Sequence, residues 1–314
     1  MTFEHKPMPA TVLSRRALLR NTVGAVTLLS LPLLMESLAQ AAAEYPLQQN
    51  AQRARAGNLY APFRMGIQSY SLRHFNTDEM LAKTKELGLR FLEAFPAHFP
   101  MTEDAATIAG YKEKLKAANV RLLAYGVVDF SSDEADARKK LAFGKAMGVE
   151  IISAYPKPDA LPVLDKLVDE YGINIAIHNH GPGDDLYDTQ DKLLKALQGR
   201  NPRIGSCLDT GHYLRSNINP AQVAREVGTR LFDVHLKNVK EGPNGTKEFT
   251  EIGVPGGLLD TVLLFRRLVE DKYHGPLMLE YEEHEDNPMP QIKECLDAVQ
   301  RFAKTVREAN IVPK

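Results

Sequence analysis

From residue 65 onward, short runs of apolar and β-branched residues alternate with stretches whose apolar residues recur three or four apart. The runs start near Met65 (MGIQSY), Leu89 (LRFLEAF), Val120 (VRLLAYGV), Val149 (VEIISAY), Ile173 (INIAIH), Ile204 (IGSCLD), Leu231 (LFDVHL) and Pro276 (PLMLEY). They predict eight strands. The stretches between them predict helices over 78–87, 105–118, 134–147, 160–171, 192–197, 220–227, 258–271 and 291–309. Gly88, Asn119, Gly148 and Gly172 stand where a helix must stop before the next strand, and these residue types tolerate the left-handed turn that ends a helix. Eight strand–helix repeats in about 250 residues predict an α/β fold, a single-domain (β/α)8 barrel. A doubly wound sheet is the alternative. It would carry a glycine-rich phosphate turn after its first strand, and Ser69-Tyr70-Ser71-Leu72-Arg73 is not one. Residues 44–64 read as a linker or N-terminal wrap, 65–314 as the barrel, and 238–257 as a long glycine-containing loop after the seventh strand.

The first 43 residues follow another pattern. Ser14-Arg15-Arg16-Ala17-Leu18-Leu19-Arg20 precedes an uncharged stretch over 21–35, and then Ala39-Gln40-Ala41-Ala42-Ala43 offers small residues for cleavage. This order predicts a secretory signal of the twin-arginine type, recognised by the twin-arginine export machinery, and a periplasmic location. The apolar stretch is too short to make a good membrane span, and no cysteine follows it to carry a lipid, so no stable membrane anchor is expected.

Composition narrows the classes. The whole chain has 39 basic and 40 acidic residues, and without 1–43 it keeps 35 and 38. A near-neutral chain with no basic block lacks the positive footprint of a nucleic-acid binder. Two cysteines, Cys207 and Cys295, cannot build a disulfide framework or a thiolate cluster and read as small apolar fillers.

Candidate chemistry lies at the predicted strand ends, where a barrel of this kind keeps its site. The fifth strand ends in His178-Asn179-His180-Gly181 and the sixth in Asp209-Thr210-Gly211-His212. The seventh ends in His235-Leu236-Lys237-Asn238 and the eighth in Glu280-Tyr281-Glu282; Glu93 closes the second strand, with His98 in the loop beyond. Residues two apart on a strand face the same way, so His178 pairs with His180 and His235 with Lys237. His, Asp, His and Glu from successive strands can hold one divalent ion and leave a position open for substrate.

IAIHNHG, CLDTGH, VHLKNV, EIGVPGG and GPLMLEYE together resemble the xylose isomerase-like TIM barrels over about residues 65–305. The resemblance implies one metal held by His178, Asp209, His235 and Glu280, with His212 at a substrate-contacting position. It implies action on a small carbohydrate by proton abstraction next to a carbonyl, giving isomerisation or epimerisation. Loss of a β-substituent, as in 3-keto-glycoside lyases, is the alternative outcome, and a non-catalytic carbohydrate-binding barrel is a further one. The family's epimerases carry a glutamate where this chain has His178, so their two-glutamate proton shuttle cannot run unchanged. Glu280, Glu93, His212 and Lys237 are then the expected acid–base groups, and His180, His98, His212 and Lys237 the expected substrate contacts. Mn²⁺ is the expected ion, with Zn²⁺ or Co²⁺ also suited to a mixed imidazole–carboxylate set.

Overall fold

The computed structural model describes residues 58–309. The segment read as an export signal and residues 44–57 lie outside the described residues. Seven strands follow in turn: β1 (Arg64–Gln68), β2 (Phe91–Ala94), β3 (Arg121–Phe130), β4 (Ile151–Pro156), β5 (Asn174–His178), β6 (Ile204–Asp209) and β7 (Leu231–Leu236). A hairpin of β8 (Asn238–Glu241) and β9 (Lys247–Thr250) comes next, and β10 (Pro276–Leu279) is the eighth strand of the barrel. The eight barrel strands are parallel and close in the order β1-β10-β7-β6-β5-β4-β3-β2, so the fold is a (β/α)8 TIM barrel.

The helices are α1 (Thr77–Glu86), α2 (Ala105–Ala118), α3 (Glu134–Met147), α4 (Leu161–Tyr171), α5 (Gln190–Leu197), α6 (Thr210–Arg215), α7 (Pro220–Val227), α8 (Thr261–Glu270) and α9 (Met289–Glu308). Their starts are set by side chains that accept from otherwise unbonded N–H groups of the first turn. Asn76 and Glu79 form a reciprocal box on α1, and Asp104, Asp133 and Asn219 cap α2, α3 and α7. Asn119, Gly148 and Gly172 end α2, α3 and α4 in the left-handed region, with φ of 56°, 78° and 70°.

Alternation divides each strand between two environments. Outward residues such as Ile152, Ile175, Leu208 and Leu236 join the large core between barrel and helices. Inside the barrel, Ala124, Ile151, Ala176 and Cys207 form a separate small apolar plug. Above that plug the interior turns polar, with Gln68, Glu93, Ser153, His178, Asp209, Asp233 and His235 all buried. Tyr60 and Phe63, ahead of β1, are also in the core, where the Tyr60 hydroxyl accepts from Gln300 of α9.

Two local expectations need correction. The 238–257 segment is not an open loop: β8 and β9 pair antiparallel from Asn238↔Thr250 to Glu241↔Lys247. Its Pro243-Asn244-Gly245-Thr246 turn has φ of 59° at Asn244 and 75° at Gly245, the turn chemistry of a tight hairpin. A further helix, α6, starts directly from the end of β6, because Asp209 caps it.

Ile152 lies on the helix-facing side of β4, against α3 and away from the polar interior. Ile152→Ala should lower unfolding free energy by about 2–5 kcal/mol through the cavity it leaves, while bound metal per chain stays unchanged. Denaturant titration with metal analysis checks both.

Candidate active site

The polar interior is assembled by local devices that the strand ends supply. Asn179, one residue past β5, clamps the next strand: its side-chain oxygen accepts from the Asp209 N–H at 2.9 Å and its amide donates to the Asp209 carbonyl at 3.1 Å. Thr210 does the same between β6 and β7, accepting from the Lys237 N–H at 2.8 Å and donating to the Lys237 carbonyl at 2.7 Å. Asp209 divides its two oxygens. Oδ1 accepts from the His212 N–H at 2.8 Å and caps α6, and Oδ2 is left pointing into the barrel.

β7 supplies three inward groups in period two, Asp233, His235 and Lys237. His235 Nδ1 lies 3.1 Å from His178 Nε2 and 2.8 Å from Glu280 Oε2, and its Nε2 lies 2.7 Å from Glu93 Oε2. Burial opposes charge on His235, and the carboxylates of Glu93 and Glu280 help to drive its pKa well up. Burial and the neighbouring His235 push the His178 pKa below that of a free imidazole. Lys237 Nζ lies 3.0 Å from Asp209 Oδ2 and 3.1 Å from Glu280 Oε2, and it also bonds Glu282. Burial alone would strip its proton, but Asp209, Glu280 and Glu282 hold it as an ammonium.

One ligand atom from each of His178, Asp209, His235 and Glu280 lies within 4.8 Å of all the others. Asp209 Oδ2 and Glu280 Oε2 are buried and share the Lys237 ammonium at 3.0 and 3.1 Å, and two imidazole nitrogens face each other beside them. Two carboxylate oxygens and two imidazole nitrogens gathered this closely form a donor set that can hold a divalent ion such as Mn²⁺, Zn²⁺ or Co²⁺. Glu93 and Asp233 stand behind the set. Burial and the Glu93 charge push the Asp233 carboxyl pKa well up, and Ser153 donates to it at 3.3 Å.

The other candidates lie in distinct places. The ring of His212 is 5.8 Å from that of His178 and 5.6 Å from that of His180, so all three rings edge the cluster. Burial pushes the His212 pKa down to about 3, and burial with the nearby His178 pushes His180 down to about 4. His180 packs against Tyr155, whose hydroxyl donates to Asp184 at 2.7 Å.

Two expectations are corrected here. His98 is not open to substrate: its Nδ1 is bonded by Ser69 Oγ at 2.8 Å and its Nε2 by the Phe75 carbonyl at 3.0 Å. Glu93 does not face the mouth opposite Lys237. It is fully buried behind His235, where its carboxylate fixes the orientation of that imidazole.

Sequence reading missed Asn179, Asp233, Glu282, Arg215 and Phe249. Asp233 had a signal, since it lies two residues before His235 on the same strand face. Phe249 had a signal only in the Asn244-Gly245 turn of the hairpin that carries it; its ring stands 5.7 Å from that of His212.

The sequence pattern of the family described as xylose isomerase-like TIM barrel matches residues 159–302, which include the whole donor set. Together with the closed barrel, this match supports that family. An inosose dehydratase of Clostridium beijerinckii is 28% identical over 163 residues, covering 48% of this chain and 52% of that protein. The chain thus spans about half the length of the curated relatives it matches. The crystal structure of an uncharacterized Parabacteroides distasonis protein superposes with a TM-score of 0.60 at 25% identity, covering 77% of this chain and 99% of that one. L-ribulose 3-epimerase shares the fold, with a TM-score of 0.61 at 16% identity over 78% of this chain and 96% of that one.

Glu93→Gln should weaken Mn²⁺ binding about 10- to 100-fold, since outer carboxylates orient ligand histidines. Calorimetric titration of apo protein measures it. Unchanged affinity would show that His235 needs no such partner. Adding Mn²⁺ at about 100 times its Kd should stabilise the wild type by about 2.7 kcal/mol, and Asp209→Asn should lose most of that gain.

Proposed function

We propose that the protein is a divalent-metal-dependent enzyme that takes a proton from the carbon next to the carbonyl of a keto sugar or keto cyclitol, and that loss of a β-hydroxyl is its favoured outcome. The observation that carries this reading is the 3.1 Å contact between Lys237 Nζ and Glu280 Oε2, beside a strand-five position that holds His178. The name of the dehydratase relative supports elimination, and the donor set supports the metal.

When bound, the ion polarises the carbonyl and acidifies the neighbouring C–H, which a carboxylate as weakly basic as Glu280 requires. The chain's own groups move the protons. Lys237 and His235 overcome the effect of burial and keep Glu280 ionised, so its carboxylate can accept the proton from carbon. Lys237 Nζ, an ammonium, donates a proton to the departing hydroxyl. The proton on Glu280 then passes to Lys237 across their existing contact, and both groups are restored. One C–H and one C–O bond break, a C=C bond forms, and water leaves. Because acid and base touch each other, both work on one face of the substrate, and the elimination is syn.

Epimerisation is the second reading, and it needs a proton-transfer group on the opposite face. His178 replaces the carboxylate that would serve there, and neutral His212 is the group placed nearest to it. The export signal at Arg15-Arg16 belongs to the same proposal: a folded, metal-loaded protein carried to the periplasm by the twin-arginine route.

Metal-loaded protein incubated in D₂O with keto sugars and keto cyclitols should give an unsaturated ketone one water lighter than its substrate. Lys237→Met should slow this by about 10²–10⁴-fold with metal content kept. A product of unchanged formula would replace elimination by epimerisation. Absence of any C–H exchange would sink proton abstraction altogether. Replacing Arg15 and Arg16 with Lys should leave precursor in the cytoplasm of a bacterial host, and undiminished export would remove the twin-arginine route.

A further inference from the structure

The barrel mouth holds a cation that the proposed proton transfer does not use. Arg215 ends α6, and its Nη1 reaches His212 Nδ1 at 3.4 Å, a long and weak contact. Its guanidinium stands over the Phe249 ring, 5.3 Å from the ring centre, and Lys237 Nζ stands 5.4 Å from that same centre. The two cations therefore share one aromatic ring at the edge of the donor set. Gly181 makes room for the arginine: a Cβ there would come within 3.0 Å of Arg215 Nη1. The backbone at 181 is not in the left-handed region, so space, not conformation, is what the glycine provides.

Every other half-buried arginine among the described residues holds a carboxylate or backbone carbonyls. Arg64 holds Glu150, Arg73 holds Glu285, and Arg230 holds the carbonyls of Leu197 and Arg200. Arg138, Arg200, Arg203 and Arg267 each pair with an acid as well. Arg215 has neither kind of partner among the described residues. A partly dehydrated guanidinium held over an aromatic ring, its one hydrogen-bond contact the long one to His212, is a receptor for an oxyanion.

Building on the proposed function, we infer that Arg215 anchors an anionic group, carboxylate or phosphate, on the part of the substrate remote from the carbonyl. The substrate class is then acidic keto sugars, not neutral ones. The keto end meets the donor set, Glu280 and Lys237, and the anionic end meets the Arg215 fork beside His212.

The test compares three ketohexose skeletons that differ only at carbon six, D-fructose, D-fructuronate and D-fructose 6-phosphate, titrated calorimetrically into full-length Mn²⁺-loaded protein. One of the two anions should bind about 10- to 100-fold more tightly than D-fructose, the worth of hydrogen bonds to a charged group, and which one does so identifies the anion. Arg215→Met should erase the preference, and Arg215→Lys should keep part of it, because charge remains while the fork is lost. Should Arg215→Met fail to fold, Arg215→Lys and the weakening of anion binding between about 0.05 and 0.5 M KCl carry the comparison. Equal binding of all three sugars, or of none, overturns the inference. So does a preference that survives intact in Arg215→Met, since the anion would then be held by the metal. Deuterium exchange at carbon, read in the same samples, judges the proton-abstraction proposal separately.

Discussion

The interior of the barrel is organised by His235, held between two carboxylates. Its Nε2 is fixed by Glu93 from below and its Nδ1 faces Glu280 and His178 from above. An imidazole bonded on one nitrogen by a buried carboxylate has one orientation and one free site for coordination, which is how ligand histidines are pre-set. The position of His235 then determines the rest. Lys237, two residues on along the chain and on the same face, lands between Asp209 and Glu280, while Asp233, two residues earlier, lands beneath Glu93. A slip of one residue in the register of β7 would turn all three into the helix layer and empty the site.

Much of this is legible in the sequence, for a physical reason. Eight apolar runs separated by amphipathic stretches leave few ways to bury both faces of every strand, and parallel closure is the one that suits helices of this length. Strand ends follow from the alternation itself: His178, Asp209, His235 and Glu280 each stand where the apolar run stops. What stays hidden is depth. Glu93 reads as a mouth residue because it ends its strand, yet the β2–β3 register shift beside Leu92 and Glu93 accompanies a side chain that reaches inward behind His235. His98 reads as a ligand type in a loop, and only packing reveals that Ser69 and the Phe75 carbonyl engage both its nitrogens. The hairpin carrying Phe249 was concealed by its glycine and proline content, although the Asn244-Gly245 pair is itself a hairpin signal.

The arrangement also separates stability from function by layer. Ile152, Leu164 and their neighbours bury apolar area between barrel and helices, where they support the fold without touching the polar interior. The interior cluster works the other way. Burying carboxylates costs free energy that only close cations and hydrogen bonds offset, and Asp209 Oδ2 and Glu280 Oε2 depend for that on one shared lysine, with His235 also at Glu280. A protein that keeps such groups inside a rigid wall of strands holds them ready for a ligand, and binding that ligand adds directly to the stability of the folded state.

The residue at 178 suits this cluster through its charge. Asp209 and Glu280 are held as carboxylates by Lys237, whose ammonium they and Glu282 hold in turn, and the buried imidazole of His178 adds no negative charge. A glutamate at 178 would add one, and Lys237 would then be drawn more tightly into the cluster as a counterion. With a neutral imidazole there, the ammonium of Lys237 stays shared between Asp209, Glu280 and Glu282, close enough to each to exchange a proton. An imidazole at 178 in place of a second carboxylate base leaves the lysine available as the acid, and that is the ground on which we propose elimination rather than epimerisation.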